Sequence, residues 1–398
     1  MAFGDFTVDR NSTKYVLGSG GDIISYATDE PAFEFNADGS YKGLLVEPAA
    51  TNICLQSEDI NTTWNPASAT PTQDTEETPD GDTTNKYIKL VDNDTGGGAT
   101  GQVFLRQTIT VDASTKYTAS AFLKKGGLDF AILRAADTSG SPDANPYQFF
   151  DLDAGSLGTA SAGIDDATIE EYPNDWYRCS ITWTQGSGDT SFDFRIYVSE
   201  ANNNFNVDLD GTSSIFVWGA QVEASPIATS YIPTTTASVT RVADDITQTS
   251  ASSLIGQTEG TLYVEVDWRE ATGTSQHLLN VSDGSFNNRL LIYKYLNDEL
   301  RMFARATTTK TDQGVSSTGF SGIQKIAFAY ADADFELYRN GSSISSDTVG
   351  SLAALATLTD IDLGQSFTDV QQANMHIRAV ALFPRRLSDA EAQALTTL

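Results

Sequence analysis

Aromatic and basic side chains lie close together on two adjacent predicted strands, a combination that suits sugar binding. The residues concerned are Tyr293, Tyr295, Arg301, Phe303 and Arg305. The last three share one strand face, because alternate side chains of a strand point to the same side. Guanidinium groups pair well with carboxylates, so we interpret this set as a candidate site for an anionic glycan. Cross-strand packing beside solvent-facing arginines is the alternative.

Oxygen-bearing side chains recur at alternate positions in a second stretch. Asn206, Asp208 and Asp210 are followed by a turn glycine, Gly211, which is typical of the start of a calcium loop. The bidentate glutamate of such a loop, expected six residues after the glycine, is replaced by Val217. The pattern predicts a structural Ca²⁺ site, with a simple acidic turn as the alternative. No other cofactor is expected.

Residue types suited to catalysis are scarce. The chain has two histidines, His277 and His376, and alternation predicts that His376 faces solvent from its strand. No nucleophile elbow, P-loop or H-E-x-x-H motif occurs. Glycoside cleavage needs two positioned carboxylates, and among 53 acidic residues close pairs such as Asp151 and Asp153 are expected by chance. We assign no catalytic residue and predict that the chain is not an enzyme.

Charge and composition exclude several classes of function. The net charge is −29 over 398 residues, which argues against nucleic acid or anionic membrane as partners, because both require a basic surface. No apolar run approaches the roughly 20 residues of a membrane span, and the start of the chain lacks a signal-peptide pattern. Cys54 and Cys179 lie in strand-like runs and are predicted to be two buried thiols, with one disulfide left open.

Strand patterns predict an all-β protein made of two jelly-roll β-sandwich domains in tandem behind a short N-terminal attachment segment. In Ile215–Val222, the pattern predicts Phe216, Trp218, Ala220 and Val222 on one face, and Ile215 and Val217 on the other. Apolar residues on both faces are typical of a strand buried between two layers. A capping box at Ser388 predicts one helix, from Asp389 to Leu398. The expected boundaries are 1–50 for the attachment segment, 51–224 for the first jelly roll, 225–250 for a linker and 251–398 for the second jelly roll.

Several motifs resemble known families. Gly43–Asn52 (GLLVEPAATN), Asp175–Arg178, Asp210–Glu223 and Thr229–Thr234 (TSYIPT) resemble a carbohydrate-binding-like jelly roll found in many bacteriophage structural proteins. One departure is Ala50, where that family commonly has a basic residue. The second half is similar to concanavalin-A-like, laminin-G-type domains. The segments that carry this second resemblance are Gly260–Glu265, Leu337–Gly341 and Ala381–Glu391.

The resemblance implies a phage virion protein made in the host cytoplasm, most simply a tail fibre or tail-tip adhesin that presents its sandwiches to host surface glycan. Its partners would then be other virion proteins, the glycan and sister chains in a homotrimer, without nucleic acid or membrane insertion. One alternative is a head fibre, capsid decoration or tail spacer protein that binds no glycan. A glycan depolymerase is a further alternative. Fold alone does not decide between them.

Overall fold

The computed structural model describes residues 5–94, 98–138, 145–268, 275–316, 322–368 and 371–398. The strands of the first 250 residues are β1 Thr7–Asp9, β2 Lys14–Leu17, β3 Ile23–Tyr26, β4 Phe33–Phe35, β5 Tyr41–Val46, β6 Ala50–Asn52, β7 Asn65–Ala67, β8 Ala69–Asp74, β9 Lys86–Asp92, β10 Thr100–Gly101, β11 Val103–Thr110, β12 Lys116–Lys125, β13 Phe130–Asp137, β14 Tyr147–Asp151, β15 Ser156–Ala160, β16 Asp166–Tyr172, β17 Trp176–Thr184, β18 Ser191–Ser199, β19 Val207–Asp208, β20 Ser214–Glu223, β21 Val239–Arg241 and β22 Asp245–Gln248. The remaining elements are β23 Gly260–Trp268, β24 Gln276–Ser282, β25 Asn288–Lys294, β26 Glu299–Ala306, β27 Thr308–Ser316, β28 Gly322–Ala331, β29 Asp334–Arg339, β30 Ser342–Asp347, β31 Asp360–Leu363, β32 Met375–Phe383 and the helix α1 Asp389–Thr396.

The first sandwich consists of two six-stranded antiparallel sheets. Their strand orders are β15-β14-β13-β18-β11-β7 and β16-β17-β12-β20-β9-β8. Inward-facing side chains from both sheets form one apolar core, which includes the thiols of Cys54 and Cys179. Both cysteines are free and fully buried, as predicted. The predicted all-β class is confirmed.

The second sandwich contains both the first and the last strand that the structure describes, β1 and β32. Its two seven-stranded sheets have the orders β1-β22-β31-β24-β25-β26-β27 and β30-β29-β28-β23-β32-β5-β4. Strand β5 pairs with β32, placing Leu44 opposite Ile377, and Leu44 and Val46 enter the core of this sandwich. Residues 1–50, expected from the sequence to be an attachment segment, therefore supply three strands to the second sandwich. Attachment to a particle or to sister chains stays a prediction for this segment.

Strand β20 lies between two apolar layers, as predicted, but its faces are divided differently. Gly219 adopts a positive φ of 61°, and the β12–β20 register shifts beside it. Beyond this bulge Ala220 and Val222 join Ile215 and Val217 in the core, whereas Phe216 and Trp218 pack on the opposite side. The prediction that Ala220 and Val222 share a face with Phe216 is wrong, because strict alternation fails at a bulge.

Within the described ranges, the outer faces of the β20 sheet and of the β23 sheet are packed against other parts of the chain. The hairpin of β2 and β3, with Tyr231, packs on the outer face of the β20 sheet through Leu17 and Ile23. Helix α1 packs on the outer face of the β23 sheet, where Ala392 meets Tyr338. The capping box predicted at Ser388 is present, and the helix ends at Thr396, two residues before the predicted end.

His376 is fully buried, so the prediction that it faces solvent is wrong. His376 lies opposite Leu45 on the neighbouring strand β5, and its Nε2 is in short contact with the Glu34 carboxylate on β4. Both strands come from more than 300 residues away in sequence. Local alternation along β32 could not reveal that contact.

Five charged side chains form a buried ion cluster where the leading segment meets the connector between the sandwiches: Arg10, Lys14, Glu47, Arg241 and Asp244. Each is at most 2% exposed. The Lys14 ammonium lies 2.6 Å from Asp244 and 3.0 Å from Glu47, and Arg10 lies 3.0 Å from Asp244. Burial by itself would raise the pKa of the Glu47 carboxyl, but the charges of Arg241 and Lys14 bring that pKa below its usual value. The Glu47 carboxylate is therefore held ionised by its basic neighbours.

Replacing Asp244→Asn removes the charge that pairs with Arg10 and Lys14. We expect it to lower the free energy of unfolding by about 3–5 kcal/mol, because Arg10 loses its buried carboxylate and Lys14 keeps only Glu47. Urea unfolding at pH 7 measures this. Asp165→Asn is the matched control: its pair with Lys116 is 3.2 Å long and half exposed, and its loss should cost less than about 1 kcal/mol. Equal losses in the two variants would contradict a structural role for the cluster.

Leu44→Ala tests whether the leading segment belongs to the second sandwich in solution. Leu44 is 1% exposed in the core of that sandwich, so truncation should cost about 2–5 kcal/mol and lower the melting temperature. Leu157→Ala, at a strand position that is 46% exposed, should leave it almost unchanged. A free attachment segment would instead make the two variants indistinguishable by calorimetry.

Candidate functional site

The structure brings together the five residues that the sequence singled out as an anionic-glycan site. Strands β25 and β26 pair so that Tyr293 lies opposite Arg301 and Leu291 opposite Phe303. Leu291, Tyr293 and Phe303 form a small cluster separate from the main core, on the outer side of their sheet. Tyr295 follows β25 and is 40% exposed. We call this surface the β25–β26 face; its residues are Arg289, Leu291, Tyr293, Tyr295, Arg301, Phe303 and Arg305.

Arg301 is neutralised by acidic neighbours. Its guanidinium lies 2.6 Å from Glu299 and 3.0 Å from Asp312, and 4.9 Å from the centre of the Tyr295 ring. The Tyr293 hydroxyl donates a 2.8 Å hydrogen bond to Asp312; burial, and then this bond, raise the pKa of Tyr293. Arg301 thus positions the two tyrosines, and its positive charge is compensated by the two carboxylates.

Arg289 and Arg305 carry the uncompensated charge of this face. They lie directly opposite each other on β25 and β26, where like charges destabilise a sheet. Within the described part of the chain, neither guanidinium has a hydrogen-bonding or ionic partner, and both Nε atoms are buried. Burial, and then the charge of Arg305, lower the pKa of Arg289. An incoming anion would relieve this repulsion.

Aromatic rings surround the Arg289 guanidinium. It lies 4.8 Å from the ring centre of Phe286, 5.0 Å from that of Phe303 and 5.9 Å from that of Phe367. Rings that pack on the flat faces of a guanidinium leave its N–H groups, which point outward in the plane, available to a ligand. Phe286 is 56% exposed, so an apolar edge borders the charged centre.

Sequence reasoning missed Arg289. The signal that could have found it is alternation on β25, since Arg289 lies two and four positions before Leu291 and Tyr293 on the same face. What the sequence could not supply is the register that places Arg289 opposite Arg305. Because of that register, the uncompensated positive charge lies at Arg289 and Arg305 and not at Arg301. The pairing of Arg301 with Glu299 and Asp312 also depends on the fold.

His277 borders the same face and is uncharged at neutral pH. Its ring packs edge-on against Tyr293 at 5.5 Å. Burial, and then the positive charge of Arg289, lower the pKa of His277 to about 3. The electrostatic effect of Arg289 thus reaches a second titratable group.

The residues predicted to bind calcium lie on the outward side of one short segment. Asn206, Asp208 and Asp210 are exposed, and the side chains between them point inward. The Asp210 carboxylate accepts hydrogen bonds from the Thr212 backbone and hydroxyl at 2.9 and 2.7 Å, which lower the pKa of Asp210. Among the residues that the structure describes, no group of three or more His, Cys, Asp or Glu side chains could hold a metal ion. The calcium site stays a prediction.

No helix in the described ranges has the length and apolar character required to cross a bilayer.

No protein-family model matches this chain, and no curated protein matches it. Solved structures with a local likeness include the Ruminococcus gnavus IT-sialidase CBM40 (TM-score 0.32, 17% identity, covering 37% of this chain and 86% of that one). Another is the same CBM40 bound to α2,3 sialyllactose (TM-score 0.29, 16% identity, covering 35% and 83%). A third is the binding domain of botulinum neurotoxin DC in complex with rat synaptotagmin II, at TM-score 0.32 and 12% identity; the match covers 39% of this chain and only 40% of that one. Likeness at this level does not indicate what this chain binds.

His277→Gln tests the electrostatics of the site through pH dependence. The pKa of His277 is about 3 in the fold and about 6.5 in an unfolded chain. As pH falls below about 6.5, the unfolded chain takes up a proton that the folded chain does not, so stability is lost by about 1.4 kcal/mol per pH unit. The variant should lack this loss of stability, so its unfolding free energy should fall less between pH 7 and pH 5 than that of the unaltered protein. Parallel curves for the variant and the unaltered protein would contradict the depressed pKa.

Proposed function

We propose that this chain is an adhesin of a phage virion, a tail fibre or tail-tip protein that binds anionic glycan on the host surface through the β25–β26 face. The observation that carries the proposal is the opposed pair Arg289 and Arg305, which has no counter-charge among the described residues although the chain has a net charge of −29. In so acidic a chain, acidic partners for two arginines would be easy to place. Their absence at this position favours a ligand that supplies the negative charge.

The chemistry of the face suits a carboxylated sugar. Two adjacent guanidinium groups can each donate paired hydrogen bonds to a carboxylate. Tyr295 and Phe286, both partly exposed at the edge, offer rings against which the C–H side of a sugar can pack. Because Arg301 is already paired, it holds Tyr295 in place instead of binding the anion. The ligand class we propose is therefore a glycan with carboxylate groups.

Binding, without cleavage, is the activity we propose. Both histidines are buried, His376 against Glu34 and His277 beside Tyr293, so neither is placed to exchange protons with a ligand on the surface. The two acids that border the β25–β26 face are already engaged: Asp312 accepts a hydrogen bond from Tyr293 and pairs with Arg301, and Glu299 pairs with Arg301. These contacts hold the carboxylates in place and suit a supporting role better than acid–base catalysis.

The virion assignment rests on the resemblance of the sequence motifs to phage structural modules. A homotrimer would add avidity to individually weak sites. Light scattering of the purified protein should then give the mass of three chains. The alternative is a head fibre, decoration or spacer protein without glycan binding. It is favoured by the buried, structural positions of several motif residues, among them Glu47 and Asn52, since a scaffold of this kind would serve at any place on a virion.

The decisive test is binding of the full-length protein to an array of carboxylated glycans, their carboxylate-capped forms and neutral glycans. We expect binding to carboxylated members only. Arg289→Ala with Arg305→Ala should weaken it by about tenfold or more, because each charged hydrogen bond lost costs about 1.5–3 kcal/mol. Arg301→Ala should weaken it less.

Arg385→Ala is the matched control, because it removes the same charge from an exposed pair with Glu391; its binding should not change. Melting temperatures establish that each variant is folded. If the unaltered protein binds no glycan on the array, or binds capped and uncapped forms equally, the proposed site is wrong and the structural alternative gains support.

A further inference from the structure

The first sandwich also carries a row of arginines. They lie on the outer face of the sheet with the order β15-β14-β13-β18-β11-β7. Strands β11, β18 and β13 are neighbours, and their register places Arg106 opposite Arg195 and Arg195 opposite Arg134. All three point away from the core, because their chain neighbours point inward: Leu105, Leu133, Ala135, Phe194 and Ile196 are core residues, and Gln107 is buried. We call this surface the β18 face; its residues are Phe104, Arg106, Arg134, Tyr147, Asp193, Arg195, Tyr197 and Phe205.

Positive charge exceeds negative charge along this row. Asp193 lies 2.9 Å from Arg195 and 3.4 Å from Arg106, and it also accepts a 2.8 Å hydrogen bond from Thr108. One carboxylate thus serves two arginines. Across the residues that the structure describes, Arg134 has no acidic or hydrogen-bonding partner, and its Nε is buried. The row resembles the Arg289 and Arg305 pair in having like charges opposed across a sheet with too few counter-charges.

Aromatic rings flank these guanidinium groups as they do on the second sandwich. Arg195 lies 5.1 Å from the ring centre of Phe104, and Arg134 lies 5.8 Å from that of Phe205. Phe205 packs edge-on against Tyr147 at 5.1 Å and Tyr197 at 5.5 Å. The arginines are therefore held by stacking, which fixes the direction in which their N–H groups can donate.

A shallow groove of about 510 Å³ opens beside this row. Its lining combines one guanidinium and the Asp193 carboxylate, which are paired with each other, with hydroxyl and amide groups that can bind sugar hydroxyls. The lining residues are Thr63, Asn65, Arg106, Gln107, Thr108, Thr138 and Asp193. A polysaccharide whose carboxylate binds at the arginine row could place the hydroxyl groups of the adjoining sugar units in this groove.

We propose that the β18 face is a second binding site for acidic polysaccharide, so that one chain binds at two places, one on each sandwich. The site does not depend on the β25–β26 face, because it rests on different residues on a different sheet. The hydroxyl and amide lining of the groove favours a polysaccharide over an acidic peptide. The sparse positive charge suits a ligand with one carboxylate per sugar unit better than the dense charge of a nucleic acid, which the net charge of −29 repels.

The test starts from the variant with Arg289→Ala and Arg305→Ala, in which the proposed first site is removed. Polygalacturonate, alginate, hyaluronan and polysialic acid are titrated into it, each beside its methyl-esterified or amidated form, with polyglutamate as a peptide polyanion. We expect this variant to retain binding to at least one of the uncapped polysaccharides. Adding Arg134→Ala should weaken that binding by about tenfold or more, because a charged contact is lost.

Adding Arg385→Ala to the same background is the control, since it removes one charge elsewhere and should change nothing. Arg134→Lys separates charge from geometry: it keeps the charge but loses the paired N–H groups, and should bind at an intermediate level. Loss of all binding in the Arg289→Ala, Arg305→Ala background, with the melting temperature preserved, would overturn the second site and leave the first intact. Equal binding of capped polymers, preference for polyglutamate, or no effect of Arg134→Ala would also overturn it.

Discussion

The buried ion cluster of Glu47, Asp244, Lys14, Arg10 and Arg241 is the constraint on which the arrangement of this chain depends. Charges taken out of water are stable only when each is met by an opposite charge at short range. Lys14 meets two carboxylates at once, and the backbone of Asp244 also donates to the Glu47 carbonyl. These contacts hold together the start of β2, the end of β5 and the approach to β22. The cluster therefore fixes where the chain leaves the second sandwich and where it returns.

Two of the motifs quoted from the sequence, Gly43–Asn52 and Thr229–Thr234, contribute residues to this junction. The Asn52 side chain donates to the carbonyls of Ala220 and Ile232 and accepts from the backbone of Val222, so one buried amide ties the connector to the end of β20. The Ser230 backbone donates to Glu47 at 2.7 Å. Such positions are restricted by buried hydrogen bonds that few other side chains could make. These motif residues therefore belong to the scaffold, whereas the proposed ligand sites lie on the outer faces of the sheets.

Local pattern was enough to predict the all-β class, many of the strands and the helix of this fold, but not its long-range pairings. The capping box at Ser388 and the burial of β20 follow from periodicity and turn residues within about ten positions, whereas strands such as β16 and β27 were not identified from the sequence. The place of β5 in the second sandwich, the burial of His376 and the opposition of Arg289 and Arg305 depend on strands brought together from distant parts of the chain. The bulge at Gly219 shows the limit within one strand, because a single positive φ reverses every later side chain.

Arginine rows on the outer sheet faces of so acidic a protein give a physical basis for selectivity. At distances beyond the Debye length of about 8 Å, salt screens the overall negative charge; closer in, that charge repels any polyanion. Only a ligand that reaches Arg289 and Arg305, or Arg134, can recover that cost through paired hydrogen bonds at short range. Repulsion over most of the surface and attraction at a few fixed points together reject loosely matched anions. On this argument the large negative charge would sharpen the proposed recognition of an acidic glycan, because the charge density of the ligand alone would not be enough for binding.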